Sequence, residues 1–277
     1  LYLPLSWVND KARCAVAGVP NQARRAKSKP ELALEMVRYN RRLGVRFSWV
    51  GMDGLYGKDP SMLRSWESDG EIFMADVHKD QHMYLEDPRP VVPESTPGRG
   101  GKRTRLVAQR EKVRVDEWSK AQPASTWKKL TLRDSTNGKL RVEVLHRRVW
   151  LWDGKETQAR RRTLVITKTL RGKTTIKYSF SNGELTDYTA QEYAYFQAQR
   201  YWVERCFDDA KNELGMSDYQ VRKWQGWHHH HALVMMACLF LLTQRLAHEE
   251  DVPLMSVRDA RVLIIARLFG TEEDVEE

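Results

Sequence analysis

The stretch FSWVGMDGLYGKDPSMLRSWESDGEIFMADV, residues 47–77, decides the fold class of this chain. Residues 47–52 and 71–77 are short, nearly continuous apolar runs, which are typical of strands covered on both faces of a sheet. Pro60 opens a predicted helix between them. The strand–helix–strand order predicts a parallel pair of strands in an α/β layer, with Asp53 at the carboxyl end of the first strand.

The neighbouring segments differ in character. Residues 31–43 are predicted to form a helix, because apolar residues recur at helical spacing and Gly44 follows as a stop signal. Residues 88–124 are rich in proline, glycine and cations, which predicts a linker. Contact with a DNA backbone and simple solvation both stay open for its cations. The clustered cations are Arg99, Lys102, Arg103 and Arg105.

A β-rich insertion follows at residues 125–188. Asn137-Gly138 and Asp153-Gly154 are strong hairpin-turn signals. Together with the runs of strand-forming residues around them, they predict an antiparallel meander of about four strands. The insertion therefore interrupts the α/β layer.

The insertion also carries candidate DNA contacts. Arg147 and Arg148 make it basic, which favours a DNA-facing module. Trp150 and Trp152 lie two residues apart, so on one strand they would face the same side. They either cover the insertion or stack on an unpaired base, since such stacking contributes roughly 1–3 kcal/mol per base.

After the insertion the chain returns to helices. Residues 190–214 show helical spacing of apolar residues and end before Gly215, which is typical of a C-terminal cap. Residues 232–248 and 257–268 are predicted to form two more helices. The predicted segments are the first part of the core (1–87), the linker (88–124), the insertion (125–188), the second part of the core (189–248), and a C-terminal helix with an acidic tail (249–277).

The charge of the chain favours a polyanionic partner. Its 46 Lys and Arg against 37 Asp and Glu give a formal net charge of +9, and clustered cations bind nucleic acid largely through its phosphates. Three cysteines without a C-x-x-C motif argue against a disulfide scaffold or a cysteine zinc site. The apolar run at residues 232–242 is shorter than the roughly 20 residues of a membrane span. We therefore expect a cytoplasmic protein with a buried apolar helix and no membrane partner.

A few charged residues carry the candidate chemistry. Arg200, Glu204 and Lys211 share one face of the predicted helix, where a simple salt-bridge ladder is the alternative. Asp53 adds a carboxylate at the strand end, where open α/β sheets bind ligands.

Carboxylates without softer ligands suit Mg²⁺ or Mn²⁺, and such a site fits two-metal phosphoryl transfer. Asp208, one turn after Glu204, is the second choice of ligand.

The segments WVGMDGLYG (49–57) and RYWVERCFDDAK (200–211), separated by the β insertion, resemble the DDE transposases of bacterial insertion sequences. In one group of these enzymes the last catalytic helix carries a Tyr-x2-Arg-x3-Glu-x6-Lys signature. Arg200, Glu204 and Lys211 match it, whereas Gln197 stands at the Tyr position. The resemblance implies an α/β fold of the RNase H-like class, a mixed sheet with flanking helices that is interrupted by an antiparallel β insertion.

The resemblance also implies an activity. DNA would be nicked at transposon ends and joined to target DNA in a reaction that depends on Mg²⁺ or Mn²⁺. Asp53 and Glu204 would be the catalytic metal ligands of a two-metal site, while Arg200 and Lys211 would contact DNA near the cleaved phosphate. A homodimer is the assembly considered for the DNA complex.

The same resemblance predicts an incomplete site. In this family the first Asp lies on the first strand of the sheet, and the opening LYLPLSWVND (1–10) resembles the tail of the third strand. The first strands and the first acid are therefore expected to be missing. Asp10 and Asp76 are the available substitutes, with a structural role favoured for Asp76. We expect no catalysis by this chain alone, so a catalytically inactive DNA-binding remnant is the alternative, and an RNA-binding or structural protein is a third interpretation.

Overall fold

The computed structural model describes residues 1–94, 103–134, 138–170, 172, 174–252 and 255–270. The helices are α1 (Leu5–Val8), α2 (Lys11–Val16), α3 (Lys29–Arg42), α4 (Gly54–Gly57), α5 (Pro60–Ser68), α6 (Val115–Lys120), α7 (Ala190–Glu213), α8 (Trp224–Ala247) and α9 (Val257–Phe269). The strands are β1 (Val50–Met52), β2 (Phe73–Val77), β3 (His82–Met83), β4 (Val113–Arg114), β5 (Lys128–Arg133), β6 (Leu140–Leu151), β7 (Arg160–Thr169) and β8 (Ile176–Ser181). Short 3₁₀ turns lie at Asn21–Ala23, Ala124–Thr126 and Met216–Asp218.

The chain forms two compact units. Pro30–Arg200 form the first, here called the sheet unit, and Leu1–Lys29 with Tyr201–Glu277 form the second, here called the helical unit. Helix α7 contributes its first half to the sheet unit and its second half to the helical unit. The predicted division into five segments stays a prediction.

Within the described residues, six strands form one sheet in the order β1-β2-β8-β7-β6-β5. β1 and β2 are parallel, with Val50 opposite Phe73 and Met52 opposite Ala75, which confirms the predicted parallel pair. β5 to β8 form the predicted antiparallel meander, and β8 pairs antiparallel with β2. The insertion therefore extends the same sheet. This mixed sheet with flanking helices confirms the RNase H-like α/β class.

Strand β1 is shorter and more exposed than the sequence predicts. It covers Val50–Met52 only, and Gly51 is exposed. Among the described strands it pairs with β2 alone, so it lies at the sheet edge, and the prediction of cover on both faces is wrong. The apolar residues before it pack elsewhere, because Phe47 lies under the Arg41 guanidinium at 3.5 Å and Trp49 lies 4.9 Å from the Phe196 ring.

Different helices cover the two faces of the sheet. Phe73 and Ala75 of β2 pack in a cluster with α3 and α5. Met74 packs on the opposite face with Tyr193 of α7. Because side chains alternate along a strand, Asp76 falls on the α7 face.

Helix α4 lies close against β2 because Gly57 has no side chain. A Cβ at Gly57 would collide with the carbonyl oxygen of Asp76, whereas one at Gly54 would lie 3.5 Å from the His78 ring, an ordinary contact. We expect Gly57→Ala to lower the free energy of unfolding by about 1–3 kcal/mol, as overpacking does. The matched Gly54→Ala variant should change it by less than about 1 kcal/mol. Urea denaturation measures both values, and equal effects would contradict this account.

The opening residues are helical, so the prediction that residues 1–10 form the tail of a strand is wrong. Pro4 precedes α1, and Asp10 caps α2 by accepting a hydrogen bond from the Arg13 amide at 2.8 Å. Leu3 and Cys14 are buried in a small cluster. Pro4 and Asp10 stand at the starts of these two helices, and Asp10 is a favoured N-cap residue.

Helix α8 differs from its prediction in two ways. It begins at Trp224 instead of residue 232, so His228–His231 lie inside it. It is also largely exposed, with Val234 and Leu241 buried, so the prediction of a buried helix is wrong. Among the described residues, α8 is the one helix long and apolar enough to cross a membrane, with 11% of its apolar window buried. A single such helix is weak evidence for a membrane span, since length and composition alone make the match.

Candidate active site

Asp53 lies directly after β1, at its carboxyl end, as the sequence predicts. Its Oδ1 caps α4, accepting hydrogen bonds from the amides of Leu55 at 2.8 Å and Tyr56 at 3.4 Å. The residue is exposed. Within the part of the chain that the structure describes, its Oδ2 makes no hydrogen bond or ion pair. Asp53 therefore keeps one carboxylate oxygen available for a cation.

Asp76 stands beside Asp53 in the sheet. Met52 pairs with Ala75, so Asp53 and Asp76 follow aligned positions on parallel strands, which run about 4.8 Å apart. Ser179 Oγ donates to Asp76 Oδ1 at 2.5 Å, and Arg200 Nε lies 2.8 Å from Oδ2. Both carboxylate oxygens of Asp76 are thus engaged, which favours the structural role over that of a substitute ligand.

A chain of buried polar side chains continues from Asp76 into α7. Gln197, 1% exposed, donates from Nε2 to Ser179 Oγ at 2.7 Å and accepts a hydrogen bond from the Thr167 hydroxyl. Ser179 passes the connection on to Asp76. Gln197, which departs from the Tyr of the family signature, therefore ties α7 to the sheet three residues before Arg200.

Burial sets the acid–base behaviour of Asp76. Only 17% of its side chain is exposed. Desolvation raises the pKa of Asp76 above the ordinary aspartate value and outweighs the Ser179 hydrogen bond and the charges of Arg200 and Lys177, which lower it. The Asp76 carboxyl therefore holds its proton to a higher pH than an exposed aspartate.

Helix α7 carries the predicted Arg200, Glu204 and Lys211 at the predicted spacing. At about 1.5 Å per residue, Glu204 lies one turn and Lys211 three turns beyond Arg200. Glu204 and Lys211 are exposed and belong to the helical unit, whereas Asp53 and Arg200 belong to the sheet unit. The meeting of Asp53 and Glu204 at one cation therefore stays a prediction.

Asp208 and two of the histidines of α8 have local partners. Asp208 is exposed and accepts a hydrogen bond from Asn212 at 2.9 Å. His230 lies 3.0 Å from the Gly215 carbonyl oxygen, and His231 lies 2.9 Å from that of Trp227. Over the described ranges, no group of three or more His, Cys, Asp and Glu side chains is placed to hold a metal ion.

The two arginines of the insertion differ in their surroundings. Arg147 is exposed, and its guanidinium lies 5.6 Å from the Trp118 ring centroid. Arg148 is 12% exposed, pairs with Glu184 at 2.7 Å and donates to Thr163 at 2.8 Å. The structure presents Arg147 to solvent and uses Arg148 for internal contacts.

The two tryptophans of the insertion do not stand on one strand. β6 ends at Leu151, so the premise that places Trp150 and Trp152 on the same face of a strand is wrong. Trp150 forms a backbone bridge with Tyr84, and Trp152 Nε1 donates to the Glu156 carbonyl oxygen at 2.7 Å. Both rings are half-buried, which favours their role as cover for the insertion.

The linker is described in part. Arg103 and Arg105 are exposed, while Arg99 and Lys102 lie outside the described residues. Val91 and Val107 form an antiparallel backbone bridge. The two described cations therefore lie four and two residues before this bridge in the sequence.

A family model described as DDE superfamily endonuclease matches residues 1–139, half of the chain. The chain belongs to the DDE superfamily endonucleases. No curated protein matches it. As a DDE superfamily endonuclease, it has a function of the nuclease or transposase type and DNA as its substrate, and the superfamily typically uses divalent metals. The matched residues include Asp53 and Asp76 and end before the β insertion is complete.

Sequence reasoning missed the polar core of this endonuclease. Ser179 and Gln197 meet Asp76 only through the pairing of β2 with β8 and the packing of α7. A signal was present, because Gln197 lies three residues before Arg200 and so shares its helix face.

Proposed function

We propose that this DDE superfamily endonuclease is the transposase of a bacterial insertion sequence. It would cleave a phosphodiester at each transposon end and then join the freed 3′-hydroxyl to target DNA. One observation carries the proposal: the exposed carboxylate of Asp53 stands at a strand end next to the Asp76–Arg200 pair. The Asp53 carboxylate, which can bind a cation, and the Arg200 guanidinium of α7 are thereby placed at the ends of neighbouring strands.

The donor atoms fit a hard divalent cation. Asp53 keeps Oδ2 available, and Glu204 supplies a second exposed carboxylate one turn after Arg200. These two would hold Mg²⁺ or Mn²⁺, which prefer oxygen ligands. When bound, such a cation stabilises the charge that develops on the scissile phosphate. Asp76 takes no part, because Ser179 and Arg200 engage its oxygens.

The cations of the chain would hold the DNA. Arg200, fixed by Asp76, and the exposed Lys211 are assigned to phosphates near the cut. Arg103, Arg105 and Arg147 are exposed and would add contacts along the strand. All of these act through charge, so DNA affinity should fall steeply with salt.

The proposal is tested with the wild-type chain and supercoiled plasmid. The proposed function requires nicked circles to accumulate with Mg²⁺ or Mn²⁺ and to be absent with EDTA, whereas the expectation of no catalysis by this chain alone requires that none accumulate in either metal. A linear substrate carrying a labelled end would then show whether the products end in a 3′-hydroxyl, which strand transfer requires. Nicking that persists in EDTA would contradict the assignment of Asp53 and Glu204 as metal ligands.

A DNA-binding remnant is the second candidate function. It is favoured by one observation: no group of three metal-binding side chains occurs among the residues described. Salt-dependent binding of duplex DNA without nicking in either metal would establish it in place of the first proposal. Preference for RNA over duplex DNA at matched salt would reject both.

A further inference from the structure

An open cleft of about 450 Å³ lies in the sheet unit at the carboxyl end of β2. One lysine comes from each of three elements around it: Lys79 after β2, Lys120 from α6 and Lys177 from β8. Arg200 of α7 lines the cleft as well. We propose that this lysine cleft binds a backbone phosphate of the DNA, next to the phosphate that is cleaved. This inference rests on the proposed function.

The two acids of the lysine cleft are already paired. Asp116 accepts two hydrogen bonds from the Arg114 guanidinium, at 3.1 and 2.9 Å. Asp76 is engaged by Ser179 and Arg200. Each carboxylate thus has an arginine as its close partner and only partly offsets the lysines, because the charge of Lys177 acts on Asp76 and that of Lys120 on Asp116.

The three lysines differ from the two acids in their close contacts. Within the described ranges, Lys79, Lys120 and Lys177 form no ion pair, so three positive charges line one cleft. Lys120 ends α6, where the helix dipole favours a cation. That local effect explains one lysine, but not the convergence of three elements on one cleft. An anion bound in the cleft would be attracted to all three.

The backbone holds the lysine cleft in shape. The Asp116 amide donates to the Lys79 carbonyl oxygen at 3.1 Å, and the Val115 amide donates to that of Gln81 at 2.9 Å. These bonds tie the residues after β2 to the start of α6. Val77 pairs with Tyr178, which brings Lys177 beside the same residues. The lysine cleft is therefore organised without a ligand, so little ordering is required on binding.

The position of the lysine cleft connects it with Asp53. His78 lines the cleft, and a Cβ at Gly54, the residue after Asp53, would lie 3.5 Å from the His78 ring. The cleft and Asp53 are thus neighbours within the sheet unit. Ammonium groups with rotatable donors suit phosphate oxygens.

The experiment compares two variants with equal changes of charge. The first carries Lys79→Gln, Lys120→Gln and Lys177→Gln. The control carries Lys128→Gln, Lys129→Gln and Lys139→Gln, three exposed lysines on β5 and before β6, at the far edge of the sheet. The affinity for a labelled duplex is measured by fluorescence anisotropy in EDTA across a salt series, and circular dichroism checks that both variants are folded.

The slope of log affinity against log salt is the decisive quantity. Each lost phosphate contact lowers its magnitude by about 0.7–0.9. We expect the first variant to lose at least one such contact and the control to keep the wild-type slope. Equal losses in both variants would overturn the proposal, since bulk charge would then explain the binding. If inorganic phosphate alone bound the wild type and not the first variant while the DNA slope stayed unchanged, the lysine cleft would be a free-anion site and the strand proposal would fail.

This experiment separates the two proposals. It uses no metal and reads binding, so a chain that never nicks DNA can still show the loss of slope. Conversely, suppose that the wild type nicks DNA in a metal-dependent way and that the first variant keeps the wild-type slope of log affinity against log salt. This result would support the proposed function and reject the lysine cleft as a DNA-binding site.

Discussion

Glu204→Gln is expected to abolish metal-dependent nicking while leaving DNA affinity and stability close to those of the wild type. Glutamine keeps the length and helix propensity of glutamate but removes the charge that a hard cation requires. Glu204 is exposed on α7, and glutamine keeps its polar end, so no buried apolar surface is lost. Loss of an outer-shell metal partner already reduces activity about 10–100-fold, so loss of a direct ligand should exceed that and reach background.

Three further variants make the test specific. Asp53→Asn should also abolish nicking, yet keep α4 capped, because asparagine caps helices as well as aspartate does. Glu250→Gln makes the same change of charge at an exposed position of the helical unit and should leave nicking unchanged. Asp208→Asn decides between the two acids of α7. If it abolished nicking and Glu204→Gln did not, Asp208 would be the ligand.

The two aligned aspartates show how surroundings decide role. Asp53 and Asp76 follow paired positions on neighbouring strands. Asp53 is exposed and caps a helix through one oxygen, so it stays ready to bind a cation. Asp76 is half-buried, with a raised pKa, and holds Arg200. Pairs of carboxylates whose surroundings differ in this way commonly divide their tasks.

Local signals were enough to predict much of the fold. The helical spacing of α7 and its stop at Gly215, which has a φ of 73°, follow from the sequence alone. The turns at Gly138 and Gly154 also have positive φ, which is what hairpin glycines provide. These features depend on neighbours in sequence, and so does the placement of Asp53 after a strand.

Other features depend on contacts between distant residues. The length of β1 is set by the packing of Phe47 and Trp49 against α3 and α7 and not by their apolar character. The lysine cleft and the Gln197–Ser179–Asp76 connection join segments separated by about a hundred residues of chain. Local periodicity in the sequence does not predict contacts between such distant segments. A motif resemblance identifies only the residues within the motifs.

Arg200→Met is expected to lower the free energy of unfolding by about 2–3 kcal/mol at neutral pH. Removing one partner of a fully buried ion pair costs roughly 3–5 kcal/mol, because the other charge is left without compensation. The loss here should be smaller, since 29% of the Arg200 side chain is exposed. Methionine keeps most of the apolar stem, so the change reports mainly the charge left on Asp76.

A second substitution should remove most of this loss. In Asp76→Asn the side chain keeps an oxygen that can accept the Ser179 hydrogen bond, and the charge of the carboxylate is gone. Adding Arg200→Met to Asp76→Asn should then cost less than about 1 kcal/mol, so the double-mutant cycle measures the coupling between the two residues. If the two losses simply added, the pair seen in the structure would contribute nothing to stability.

The pH dependence provides an independent test of the same pair. Folding raises the pKa of Asp76, so between the unfolded and folded pKa values the folded protein binds more protons than the unfolded chain. The free energy of unfolding therefore falls as the pH rises from below the ordinary aspartate pKa through the pKa of the folded state. In Arg200→Met a cause that lowers this pKa is gone, so the fall should be larger and extend to higher pH. Asp76→Asn should lack this component altogether. Urea denaturation of the three proteins across acidic to neutral pH measures it, and parallel curves would show that Asp76 does not titrate as its burial requires.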